Sequence, residues 1–176
     1  MKVEDLELFM RYALPCIDTK VKRGEISGEE ARKVLEEFVR KRKIPKDFEK
    51  RFYTAFQVCS FLAKRKGKDK IDSEIIREYF WWIHPSVVRG IYKIRKDFNP
   101  VECLVYPGIV LEVFGNLARV RTPIGGKEYR KDFVESLRKK DKVVVHRGYV
   151  VERISEENFE KLWKFYEKVN VLVGIE

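Results

Sequence analysis

Apolar residues recur three and four positions apart through the first hundred residues, then from Val101 give way to short alternating or unbroken apolar runs bounded by turn residues. The first spacing buries one stripe of a helix and the second one face of a strand. A chain of 176 residues with both patterns is expected to build two cores. The fold class is therefore α+β: a helical bundle over residues 1–100, then a small β-barrel with a C-terminal helix over 101–176.

Each helical segment has its own start and stop signals. Leu6, Phe9, Met10, Ala13 and Ile17 form one stripe, which Pro15 kinks or ends. Ser27 and Glu30 make a capping box ahead of Ala31, Val34, Leu35, Phe38 and Val39. Pro45 opens a third helix carrying Phe48, Phe52, Phe56, Cys59 and Leu62, with Gly67 as its stop. Asp72 caps a fourth with Ile75, Ile76, Tyr79, Phe80 and Ile83, and a short fifth runs from about Val87 to Lys96.

In the second half, strands are expected at 104–114, 117–122, 127–134 and 142–154. Turns at Gly115-Asn116 and Gly125-Gly126 separate them, because these pairs tolerate positive φ. Ser155, Glu156 and Glu157 open a last helix whose Phe159, Leu162, Trp163 and Tyr166 would cover the sheet.

Charge divides the halves as sharply as pattern does. Residues 1–100 carry 24 Lys and Arg against 16 Asp and Glu, whereas residues 101–176 carry 14 against 12. The net charge of +10 thus belongs mainly to the first half, and it favours acidic or phosphate-bearing partners. Charged residues make up 38%, while Gln57 is the sole glutamine, a balance associated with hyperthermophile proteins. Three scattered cysteines indicate a reduced, cytoplasmic protein rather than a disulfide framework. No run reaches the roughly 18 apolar residues of a membrane span, so no membrane association is expected.

Two segments of the second half carry reactive side chains. CLVYPG, residues 103–108, places a thiol before a Pro-Gly break. Proline cannot donate in a central ladder, so Pro107 confines this stretch to an edge or bend, from which Cys103 can lift off the sheet. Cys103 is then a soft metal ligand or a nucleophile, or else one more inert buried thiol; Glu102 beside it opposes a thiolate. VVVHRGYVV, residues 143–151, interrupts an apolar run with His146 and leaves space at Gly148. His146 is either a metal-binding or proton-exchanging imidazole or a half-buried ring satisfied by a backbone carbonyl.

Taken together, these pieces resemble the HypC/HupF family, small chaperones of [NiFe]-hydrogenase maturation. The residues that carry the resemblance are Cys103, Pro107-Gly108 followed by Ile109 and Val110, Gly115-Asn116 with Ala118 and Val120, Gly125-Gly126, Asp141, and the VVVHRGY block with Val145, His146 and Gly148. They run in the family's order over residues 103 to about 165. The resemblance implies an OB-like barrel with a C-terminal helix. It further implies that Cys103 holds iron carrying cyanide and carbon monoxide ligands, an Fe(CN)2CO fragment in transit, with His146 as a nearby metal-site residue. Pro107, Gly108 and Gly148 are then motif or partner-binding positions, and the implied partners are a HypD-like scaffold and the hydrogenase large-subunit precursor. The chain departs from the family in one respect: family members usually begin Met-Cys, whereas Cys103 follows 102 residues and offers no terminal amine.

The first half resembles no family. Its lysine-rich runs, with Arg40, Lys41, Arg42 and Lys43 in one and Lys64, Arg65 and Lys66 in the other, are either solvated faces or contacts for phosphates and acidic partners. A basic bundle beside an OB-like barrel makes a nucleic-acid-binding protein the alternative reading. Trp81-Trp82, beside His84 and Pro85, is a core anchor or an exposed docking contact. No phosphate-cradling glycine loop, GxSxG, HExxH or CxxC occurs, so no enzyme is expected.

Overall fold

The computed structural model describes residues 1–94 and 98–172. It divides into two compact units, Met1–His84 and Pro85–Glu176, so the division lies ahead of Pro100 and inside a helix.

In the first unit, β1 (Lys2–Val3) pairs in parallel with β2 (Lys70–Ile71), a two-residue ladder too short to leave a period in the sequence. Between them lie α1 (Leu6–Ala13), α2 (Ile17–Lys22), α3 (Gly28–Lys41), α4 (Phe48–Arg51) and α5 (Tyr53–Arg65). Pro15 sits in a 3-10 turn, Leu14–Cys16, that joins α1 to α2, as its missing donor requires. Ser27 accepts from the amide of Glu30 and so caps α3, while Arg42 closes that helix in a left-handed conformation. Rings converge behind these helices: Tyr12 stacks on Phe80 at 4.9 Å, and Phe9 meets Phe48 edge-on at 5.8 Å. Phe9, Tyr12, Phe38 and Phe80 are buried. Each such ring contributes about 1.5–3 kcal/mol by leaving water.

The fourth and fifth expected helices are one continuous run. Asp72 caps α6 (Ser73–Glu78), which passes through a π-turn, Tyr79–Ile83, into α7 (His84–Ile94). Pro85 explains the turn: it has no N–H to offer the carbonyl four residues back, and the chain widens so that His84 donates to Tyr79 instead. Arg95 and Lys96, the expected end of the fifth helix, lie outside the described residues. Trp81 is a core anchor, 4% exposed, and its Nε1 donates to the Tyr12 hydroxyl at 2.7 Å. Trp82 is half-buried.

The second unit holds β3 (Val105–Phe114), β4 (Leu117–Thr122), β5 (Gly125–Arg130), β6 (Lys142–His146), β7 (Tyr149–Arg153) and α8 (Glu156–Leu172). The strands close a barrel in the order β3-β4-β5-β7-β6, antiparallel except at the β5–β7 seam, where Arg130 faces Tyr149. This is the expected α+β architecture of a helical first half, an OB-like barrel and a C-terminal helix. The segment expected as one strand over 142–154 is two, folded at Arg147-Gly148 with φ of 45° and 87°. The second expected turn also moves: Pro123-Ile124 make it, and Gly125 and Gly126 begin β5.

Gly115-Asn116 turns as expected. Val143, Val144 and Val145 are all buried because β6 has barrel interior on one face and α8 on the other. Phe159, Leu162, Tyr166 and Val169 form the buried stripe of α8, whereas Trp163 is half-buried and donates to Glu167.

Candidate functional site

Antiparallel register brings the site together. Val105 pairs with His146, Tyr106 with Val145, and Pro107 with Val144, so each step back along β3 meets a step forward along β6. Cys103 lies two residues before this ladder and therefore beside the Arg147-Gly148 turn. A 3-10 turn, Val101–Cys103, carries the thiol, and Tyr106 ties that turn to the barrel by donating from its hydroxyl to the carbonyl of Val101 at 3.1 Å.

Pro107 is an edge residue on one side only. Val110 donates to Asp141 toward β6, so by the alternation of a strand the nitrogen of Pro107 faces the β4 side. There, β4 pairs only from Ile109 onward, and no ladder bond is lost. The expectation that this break lifts Cys103 off the sheet is not met: Cys103 is 7% exposed, because its turn folds back against the barrel end.

His146 is fully buried, and its Nε2 lies 3.2 Å from the carbonyl oxygen of Cys103. A carbonyl only accepts, so Nε2 carries the hydrogen. The imidazole thus grips the main chain of the cysteine, while the sulfur is met by Arg147, whose Nη2 lies 3.3 Å from Sγ. Sequence reasoning missed Arg147. Its adjacency to His146 and Gly148 was visible, but a bulky residue at positive φ in a tight turn has no sequence signature. The charge beside the thiol is therefore this guanidinium as well as Glu102, which is exposed.

The remaining motif residues have structural surroundings. Pro107 and Gly108 are buried in the barrel wall. A Cβ on Gly108 would overlap Val120 Cγ1 and come within 3.2 Å of the Arg121 carbonyl, so glycine lets β3 and β4 close. Gly148 supplies the positive φ of the β6–β7 turn, with open space where a side chain would stand.

Of the basic runs, Arg40 and Lys41 are exposed at the end of α3, Arg42 reaches Glu7 at 3.5 Å, and Lys43 pairs with Glu37 at 2.9 Å. Lys66 pairs with Glu78 at 2.5 Å and Lys68 with Asp72 and Glu74, while Lys64 and Arg65 stand exposed at the end of α5.

Among the described residues no three His, Cys, Asp or Glu side chains cluster as a metal cage, and no helix is long and apolar enough to cross a membrane. The closed OB-like barrel thus gathers one thiol, one imidazole and one guanidinium at its end. Residues 103–166 match the model of the HupF/HypC family. In general terms that links the chain to hydrogenase maturation as an accessory protein, and members of that family are chaperones rather than enzymes. No curated protein matches the chain.

Proposed function

We propose that the chain is a non-catalytic, cytoplasmic accessory protein of [NiFe]-hydrogenase maturation that carries an iron fragment with cyanide and carbon monoxide ligands on Cys103. The observation that carries this reading is the family match beginning at Cys103, together with the register that sets Cys103 against His146 at its carbonyl and Arg147 at its sulfur. Loading is a ligand exchange in which the thiol gives its proton to solvent and the sulfur bonds iron as the delivering scaffold's ligand leaves it; on release the receiving protein's ligand displaces the Cys103 sulfur, which takes back a proton. The Arg147 guanidinium stands 3.3 Å from the sulfur and Cys103 is 7% exposed, so the reading requires the Val101–Cys103 turn to open and Arg147 to move aside for iron. His146 holds the turn through the bond from Nε2 to the Cys103 carbonyl. One thiolate suits cargo that must leave, since a closed four-ligand cage would retain it. The proposed partners are a HypD-like scaffold and the hydrogenase large-subunit precursor, with the helical unit adding a docking surface.

The test is anaerobic purification with iron counted per chain, alone and after incubation with a loaded scaffold. Wild-type protein should hold iron, and Cys103→Ser should lose it with an unchanged circular dichroism spectrum. Equal iron in both proteins would remove Cys103 from the mechanism.

The barrel gives little support to the nucleic-acid alternative. Its net charge is small, and Tyr106, Tyr129 and Phe133 are buried rather than offered for stacking. The helical unit has a separate surface that does support nucleic-acid contact.

A further inference from the structure

Helix α5 leaves two large aromatic rings in water: Tyr53 is 63% exposed and Phe61 59%. At about 100° per residue, Tyr53, Gln57, Phe61, Lys64 and Arg65 share one sector about 120° wide and roughly 18 Å long. The opposite sector, with Phe56, Cys59, Leu62 and Ala63, is buried in the unit's core. The outer face is therefore not needed to hold the helix in place.

Its charge is also unspent. Lys66 and Lys68, just beyond the helix, are held by Glu78, Glu74 and Asp72, whereas Lys64 and Arg65 have no carboxylate within ion-pair distance among the described residues. The Arg65 guanidinium lies 5.9 Å from the centroid of the Phe61 ring, so ring and cation form one platform.

We propose that this face of α5 binds single-stranded nucleic acid, with bases stacking on Tyr53 and Phe61 and phosphates meeting Lys64 and Arg65. Unpaired bases have π-faces for separated aromatic platforms, and a backbone of phosphates complements cations that no carboxylate among the described residues holds. A helix docking in a protein groove would instead ask for an unbroken apolar stripe, but Gln57 interrupts this one. Base-paired duplex hides its faces and has nothing to stack.

The experiment uses the full chain and fluorescein-labelled oligouridylate and oligothymidylate of about 12 nucleotides, titrated by anisotropy between about 50 and 200 mM salt. Both strands should bind, a duplex of equal length more weakly, and any preference between the two distinguishes RNA from DNA. The double variant Tyr53→Ala with Phe61→Ala should lose affinity about tenfold or more, while Lys64→Glu with Arg65→Glu should reduce the salt slope by about 1.4. All four side chains are exposed, so circular dichroism should not change. Cys103→Ser should bind oligonucleotide normally, which separates this result from the fate of the iron reading. Absence of binding at low salt, or equal affinity after loss of both rings, would overturn the proposal. So would a concentration-dependent dimer abolished by the ring substitutions, because it would assign the face to a second copy.

Discussion

The buried imidazole of His146 donates through Nε2 to the carbonyl oxygen of Cys103, 3.2 Å away and 43 residues distant in sequence. The bond is buried, so together with the Tyr106 bond to Val101 it holds the turn carrying the thiol in its seat. His146→Phe keeps most of the ring volume and removes the donor. It should lower stability by about 1–3 kcal/mol in urea unfolding. It should also speed alkylation of Cys103 in the native protein, read by mass spectrometry of the labelled peptide; an unchanged rate would mean that the turn is held elsewhere.

Gly108 faces a neighbouring strand with no room for a methyl group. Gly108→Ala must push Val120 or the β4 backbone aside and should cost about 1–3 kcal/mol, seen as a lower thermal midpoint. Gly148→Ala meets open space, and its cost comes only from the positive φ of 87°. The two substitutions separate steric closure from backbone conformation.

Asp72 joins a cap to an ion pair. It accepts from the amide of Ile75 at 2.9 Å and binds Lys68 at 2.7 Å. Partial burial raises its carboxyl, but the bonds from Lys68 and Ile75 prevail and hold it below the ordinary 3.8. A lowered carboxyl contributes stability that is complete above the unfolded value and fades as pH falls through the folded one. Acid titration of stability should therefore show a smaller loss below about pH 4 in Asp72→Asn than in the wild type, because Asp47 and Glu74, also held low, still contribute theirs. Asp72→Ala should cost about 1 kcal/mol at neutral pH through the missing cap, measured by thermal unfolding.

Burial pushes the Cys59 thiol up to about 12 from 9.0. At pH 8 iodoacetamide should leave Cys59 unmodified in native protein and label it in urea, as peptide mass spectrometry can resolve. The same burial lowers stability as pH rises from 9.0 toward 12, because the unfolded thiol ionises first.

Local signals identified much of the framework. Ser27 and Asp72 cap α3 and α6, Gly67 stands at positive φ just past α5, and Gly115-Asn116 turn β3 into β4. Each acts within a few residues through one amide or one permissive φ, so it can be read without knowing what packs nearby. Other features were not local. Arg147 occupies a left-handed conformation that its side chain disfavours, and only the pairing of β6 with β7 demands it. Pro85 lies inside a helical run that its chemistry would normally end, and the π-turn before it resolves the conflict.

The candidate site divides in the same way. Composition and periodicity were enough to expect two cores and a small barrel with a thiol at its start, because apolar spacing and turn chemistry act along the chain, while the OB-like form was implied by the family resemblance of the Cys103, Pro107-Gly108 and VVVHRGY pieces. That the imidazole grips a carbonyl while a guanidinium meets the sulfur was decided by tertiary structure. Strand register and barrel closure set distances between residues far apart in sequence, and those distances depend on the pairing of every strand at once.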